Sequence, residues 1–204
     1  MIFGNRFWTR AALFLFVAGA SLAARADTAQ PVPAPGLLEQ IMHNLARVKT
    51  ADSTFVERKY LSILNAPLEF SGTLSYAAPG HLEKRTLLPK PENMLLDQDT
   101  LTIENPAKHQ RRTLVLQDYP VIWAFVESIR STLAGDLQTL RRFYRVTLEG
   151  NAAQWRLLLV PTDPQMQGVV SEIHISGGKS RIGSIEIIET NGDRSVMTIT
   201  GDTP

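Results

Sequence analysis

The residues of this chain that could do chemistry are few and scattered. His43, His81, His109 and His174 stand apart, with no His-x-x-x-His or Glu-x-x-His spacing to bring two metal ligands onto one helical face. There is no cysteine to act as a nucleophile, no Gly-x-Ser-x-Gly elbow to expose a serine, and no Gly-rich loop opening a helix to cradle phosphate. Neither catalysis nor a bound cofactor or metal has a motif behind it. The runs Glu57-Arg58-Lys59 and Glu83-Lys84-Arg85 read as solvated strand faces, whose cross-strand ion pairs are worth about 0–1 kcal/mol each. Arg111-Arg112 and Arg141-Arg142 read as surface pairs.

What remains is the burial of apolar surface. Leu68, Phe70, Leu74 and Tyr76 alternate with Glu69, Ser71, Thr73 and Ser75, which gives a strand one apolar and one wet face. Leu101 and Ile103, Leu157 and Leu159, and Ile185 and Ile187 repeat that alternation. Such faces need a cover. Pro120 can open a helix in which Val121, Ile122, Phe125, Val126, Ile129 and Leu133 share one stripe. Gly135 stops that helix, and Asp136 caps a second one that reaches Phe143. Spacing alone leaves open whether these helices fill the concavity as a dry core or close it over a cavity.

The elements that position these faces follow from periodicity and turn chemistry. Leu37, Leu38, Ile41, Met42, Leu45 and Val48 recur at helical spacing over 37–48. Strands are expected at 54–63, 68–76, 81–87, 93–97, 100–104 and 111–116, and after the helical insert at 144–148, 154–160, 171–176, 182–189 and 195–200. Turn residues separate them, and Asn191-Gly192 between two strands is a strong hairpin signal. The prediction is an α+β fold, mainly antiparallel β: an incomplete, half-open barrel of about 11 strands. An N-terminal helix and lid helices, in an insert at about 119–143, cover its apolar concave face.

The first 26 residues have the pattern of a cleavable export signal. Arg6 and Arg10 precede the apolar run 11–22, and Ala24-Arg25-Ala26 supplies small residues where a signal peptidase cuts. The apolar core is about a dozen residues, short of the roughly 20 that a membrane span needs. Removing the signal takes three arginines, so the chain goes from a net charge of +1 to 18 basic against 20 acidic residues, a net of −2. That balance gives no support for nucleic acid as a partner. Without cysteine there is no thiol for a lipid anchor. The expectation is a soluble periplasmic protein, a monomer, with a Pro-rich leader at 27–36 and a single domain over 37–204.

The motifs in order carry a resemblance. An initial helix, then Phe55, Gly72-Thr73-Leu74-Ser75-Tyr76 with Pro79, Leu82-Glu83-Lys84, Pro89, Leu96-Asp97-x-Asp99-x-Leu101-Thr102, Ile185-Glu186-Ile187 and Asp193-Arg194-Ser195 resemble the periplasmic lipoprotein carrier LolA family. The resemblance spans nearly all of 36–200 and points to a divergent branch. It implies an apolar lumen that takes up lipoprotein acyl chains, lined by the strand residues named above, with Phe125, Val126 and Ile129 facing it from the lid. It also implies an inner-membrane exporter as donor and an outer-membrane acceptor. Two positions depart from the family. Ala78 stands where the carriers have an arginine that helps control lid opening, which leaves Arg58 and Arg85 as candidates for that task. The turn Asp97-Gln98-Asp99 lacks the family's glycine.

Burying one methylene gains roughly 0.8 kcal/mol, so a chain of about 16 carbons gains on the order of 12 kcal/mol gross. A transfer protein must leave part of that gain unrealised, through a lid that costs energy to open or through partly wet chains. The competing expectation is a protein-binding accessory module of an export system with a filled core, docking through a sheet edge or the leader. An outer-membrane barrel fits poorly, because the strands are short, aromatics are few and a helical insert interrupts them.

Overall fold

Antiparallel alternation dominates the computed structural model, which describes residues 34–201. The segment read as an export signal, and most of the segment read as a leader, lie outside the described residues. Eleven strands form one sheet: β1 (Thr50–Tyr60), β2 (Leu68–Ala77), β3 (His81–Leu88), β4 (Glu92–Asp97), β5 (Thr100–Asn105), β6 (Gln110–Val115), β7 (Tyr144–Gly150), β8 (Trp155–Pro161), β9 (Val170–Gly178), β10 (Arg181–Glu189) and β11 (Arg194–Gly201). Helix α1 (Leu37–Ala46) precedes them, α2 (Pro120–Ala134) and α3 (Leu137–Phe143) lie between β6 and β7, and the short α4 (Pro164–Gln167) follows β8.

The strand order is β6-β5-β4-β3-β2-β1-β11-β10-β9-β8-β7. Consecutive strands pair with one another except β6 and β7, and the last strand returns to β1 at the centre of the sheet. The edges β6 and β7 do not pair, so the barrel stays open. The chain passes between those edges through α2 and α3, which is why these helices cross the concave side.

The register puts the apolar alternation on one face. Phe55 stands opposite Ile199 and Gly72, Leu101 opposite Leu96 and Leu114, and Leu157 opposite Leu148 and Ile175. Two apolar clusters form on this face. The larger one packs α1 (Ile41, Met42, Leu45) and α3 (Leu140) on β7–β10, with Val121, Phe125 and Ile129 of α2 against it. The smaller one joins Leu96, Leu101, Leu114 and Leu116 to Val126, with Ile122 and Trp123 packed on it. Helix α2 thus reaches both halves of the sheet.

Two glycines are fixed by close approach. Gly135 ends α2 with φ +68°, and a Cβ there would stand 2.2 Å from the Met42 carbonyl oxygen, so α1 and α2 touch through it. At Gly72 a Cβ would stand 1.9 Å from the Arg85 carbonyl oxygen, beside the bulge between β2 and β3.

Most strand boundaries differ from the sequence reading by one or two residues, and three differences have a physical reason. β1 runs over 50–60 instead of 54–63, since Thr50-Ala51-Asp52 has no apolar face to read yet pairs with 75–77. The chain leaves β1 where the Ser62 amide donates to Asp193 Oδ1 at 2.8 Å. Helix α1 ends at Ala46, two residues early. The unexpected α4 is held by Asp163 Oδ1, which accepts from the Gln165 and Met166 amides.

Candidate functional site

The concave face is sealed on one side and open on the other. Leu157 and Leu159 have no exposed surface, and Ile185 is buried with them in the larger cluster beneath α1 and α2. Tyr76 and Leu101 are buried, and Ile103 is half-buried against the smaller cluster. Phe70, Leu74 and Ile187 are half-buried, and Leu68 is 42% exposed. From the lid, Val121, Phe125 and Ile129 meet the larger cluster, whereas Val126 is buried in the smaller one. The residues expected to line one lumen therefore divide between a packed core and an open stretch of wall centred on β1 and β2.

That open stretch is not purely apolar. Strand parity places Glu57 and Lys59 on the same side as Phe55, and Lys84 on the same side as Leu82, which corrects the expectation that both charged runs are solvated. Glu57 is 5% exposed. Its carboxylate accepts from Lys84 Nζ at 2.5 Å and from Ser195 Oγ at 2.7 Å, and Lys59 Nζ stands 3.5 Å away. Lys84 lies over the Phe55 ring at 4.9 Å, and Lys59 over the Phe70 ring at 5.2 Å. Burial alone would push the Glu57 carboxyl up. The Lys84 charge and hydrogen bond, with Ser195 and Lys59, outweigh burial and hold it below its ordinary value. The Tyr76 hydroxyl is buried on this face without a partner among the described residues, and burial pushes its pKa up.

Helix α2 is fastened to the wall by an arginine of its own. Arg130 of α2 donates to the Gln98 carbonyl at 2.7 Å and stands 3.4 Å from Asp99 Oδ1, both in the turn between β4 and β5. Its other amino group pairs with the buried Glu127 carboxylate, which also accepts from Trp123 Nε1 at 3.1 Å and Ser131 Oγ at 3.0 Å. Gln98 adopts φ +51°, a left-handed conformation that glycine usually fills, and the carbonyl that Arg130 binds belongs to this residue. The missing glycine is thus met by a glutamine in the same conformation. On the other side of the lid, the Tyr144 hydroxyl donates to the Ala124 carbonyl at 2.8 Å, and burial pushes its pKa up.

Arg58 and Arg85 do not serve this purpose. Arg58 binds Glu69 at 2.9 Å and Arg85 binds Glu83 at 2.6 Å, all four on the convex face. Arg111 with Glu104 and Arg141 with Glu39 are exposed pairs. Among the described residues no three His, Asp or Glu side chains gather as a metal site, and no helix is long and apolar enough to cross a membrane. His174 lies between Glu172 and Glu186 on the convex face.

The sequence from residue 31 to residue 203 matches the family model described as outer membrane lipoprotein carrier protein LolA-like. The chain belongs to this LolA-like family. Solved structures similar to this LolA-like chain include a LolA superfamily protein from Nitrosomonas europaea, with 12% identity, 85% of this chain and 96% of that one covered, and a TM-score of 0.46. A domain described as an outer membrane lipoprotein-sorting protein, from Vibrio parahaemolyticus, matches at 9% identity over 80% of this chain and 88% of that one, with a TM-score of 0.45. The MucA/MucB complex of Pseudomonas aeruginosa matches at 14% identity over 82% of this chain and 57% of that one, with a TM-score of 0.42. No TM-score here reaches 0.5, so membership rests on the family match. No curated protein matches the chain.

Proposed function

We propose that this LolA-like protein is a non-enzymatic periplasmic carrier, exported by its cleavable signal. It takes the acyl chain of a lipoprotein or similar amphiphile from an inner-membrane donor to an outer-membrane acceptor. The observation that carries the reading is the unequal concave face: one half is sealed as core, while Leu68, Phe70 and Leu74 stay accessible on the other. A half-open wall of this kind offers a chain partial burial, which limits the gain and permits release. The fastening of α2 by Arg130 and Tyr144 adds a cost to opening.

Mass spectrometry of native protein taken directly from periplasmic extract tests the proposal and names the cargo. A bound acyl species is expected, as is uptake of a fluorescent fatty acid by delipidated protein. Failure of both overturns the carrier.

The packing of Leu157, Leu159, Ile173 and Ile175 at zero exposure favours one alternative, a protein-binding module whose helices fill the concavity. A partner captured equally by wild type and by the Phe125→Asp, Ile129→Asp variant, with no lipid present, would select that reading.

A further inference from the structure

An apolar wall that serves only hydrocarbon has no use for a buried carboxylate and two lysines. Replacing a buried ion pair by well-packed apolar residues is often neutral or stabilising, so the cluster is weak evidence for stability. Its geometry is uneven in a telling way. Lys84 is committed: it holds Glu57 at 2.5 Å, and its side chain is 24% exposed. Ser195 supplies the carboxylate with a second donor at 2.7 Å. Lys59 is not committed. Its ammonium stands 3.5 Å from Glu57, well beyond the usual 2.7–2.9 Å of a charge-assisted hydrogen bond, and its side chain is 42% exposed. An ammonium has three donors and no acceptor, so Lys59 keeps donors to offer. One carboxylate against two ammoniums leaves the cluster with one positive charge.

The surroundings say where a ligand would lie. Lys59 pairs in register with Leu68 and Ser195 near the end of β1, and its ammonium lies over the Phe70 ring. Further along the same face come Phe55 and Leu74. Glu92 and Arg112 also face this way on β4 and β6, and neither pairs with Lys59 or Lys84 among the described residues.

We infer that Lys59, held in place by the Glu57–Lys84–Ser195 cluster, is the headgroup anchor for an amphiphile that ends in an oxyanion, its acyl chain running inward along Phe70 and Leu74. This deepens the carrier reading and rests on it. The shared chemistry is a carboxylate or phosphate attached to one or more acyl chains. Glu57 acts as a positioning residue: its carboxylate, 3.5 Å from the Lys59 ammonium, keeps that ammonium on the concave face and repels an anion that approaches from deeper in the wall.

The test compares three fluorescent probes of equal chain length that end in a carboxylate, a phosphate monoester or a neutral hydroxyl. Wild-type protein should bind the better anionic probe on the order of tenfold more tightly than the alcohol, the factor expected of one hydrogen bond to a charged group. Whichever anion leads identifies the headgroup source. Lys59→Gln should bring the ratio close to one while alcohol binding stays unchanged, and Lys59→Arg should restore most of it. Equal wild-type affinity for acid and alcohol, or a preference that survives Lys59→Gln, overturns the headgroup assignment and leaves the carrier standing. If no probe binds at all, the carrier reading fails and this inference goes with it. Lys59 is half-exposed, so its variants should fold, and matching thermal melts check that they do.

Discussion

The two halves of the concave face have the same strand geometry and different uses. On β7–β10 the inward side chains join one apolar cluster with α1, α2 and α3, and Leu157, Leu159, Ile173 and Ile175 lose all exposure. On β1–β3 the inward positions are Leu68, Phe70, Gly72 and Leu74 with Glu57, Lys59 and Lys84 among them, and several stay accessible. A single sheet thereby separates two tasks. The sealed half supplies the stability that lets the open half leave apolar surface and charge unfulfilled. Helix α2 spans the opening, since Phe125 packs on the β7–β10 cluster and Val126 on the smaller cluster of β4–β6.

The strongest way to break this comparison is to truncate both halves alike. Leu157→Ala removes side-chain volume from a site with no exposure, and should cost about 2–5 kcal/mol in urea unfolding. Leu68→Ala, on a half-exposed side chain, should cost about 1 kcal/mol or less while weakening uptake of a fluorescent fatty acid. Equal losses of stability would show that the open half is core as well. Arg130→Met comes next. It frees the β4–β5 turn and leaves Glu127 buried with only Trp123 and Ser131 as donors, at about 1–3 kcal/mol. Amide hydrogen exchange should rise in α2 before it rises in β8, and uniform protection would mean that α2 is no separate lid. Tyr144→Phe removes one buried hydrogen bond to the Ala124 carbonyl and should cost about 1 kcal/mol by thermal melting.

Much of the fold could be read from period and turn chemistry. Strands such as β2, β8 and β10 carried a local alternation, and Pro120, Gly135 and Asp136 announced the helical insert at the positions where the structure uses them. The charged runs were misread because a triplet such as Glu57-Arg58-Lys59 looks wet when taken as a unit. Parity would have separated it: Glu57 and Lys59 share the side of Phe55, and Lys84 shares that of Leu82 and Thr86. The cross-strand reach from Lys84 to Glu57 passes over β2 and depends on the β1–β2 and β2–β3 registers together, which no single local signal fixes. Arg130 was missed for a different reason. Trp123, Glu127, Arg130 and Ser131 form a polar stripe at helical spacing on α2, but its partner is the backbone of Gln98, and backbone acceptors leave no trace in residue type.

The smallest effect is also the most diagnostic of the open half. The Glu57 carboxyl is held below its ordinary value by Lys84, Ser195 and Lys59 against the opposing push of burial. A carboxyl lowered in the folded state contributes stability that is fully present above its unfolded pKa, and that is lost as the pH falls through the folded value. Wild-type stability should therefore decline as the pH drops below the ordinary carboxylate range, and Glu57→Gln should flatten part of that decline. Asp136, which accepts from the Thr139 amide, and Asp193, which accepts from the Ser62 amide, are lowered in the same direction and add to the acid sensitivity that remains. Urea midpoints of both proteins from about pH 3 to pH 7 decide the matter. Parallel curves would mean that Glu57 is solvated and the cluster is not held on the concave face. Curves that converge at low pH would place the ionised Glu57 carboxylate inside the cluster that holds Lys59 on the concave face.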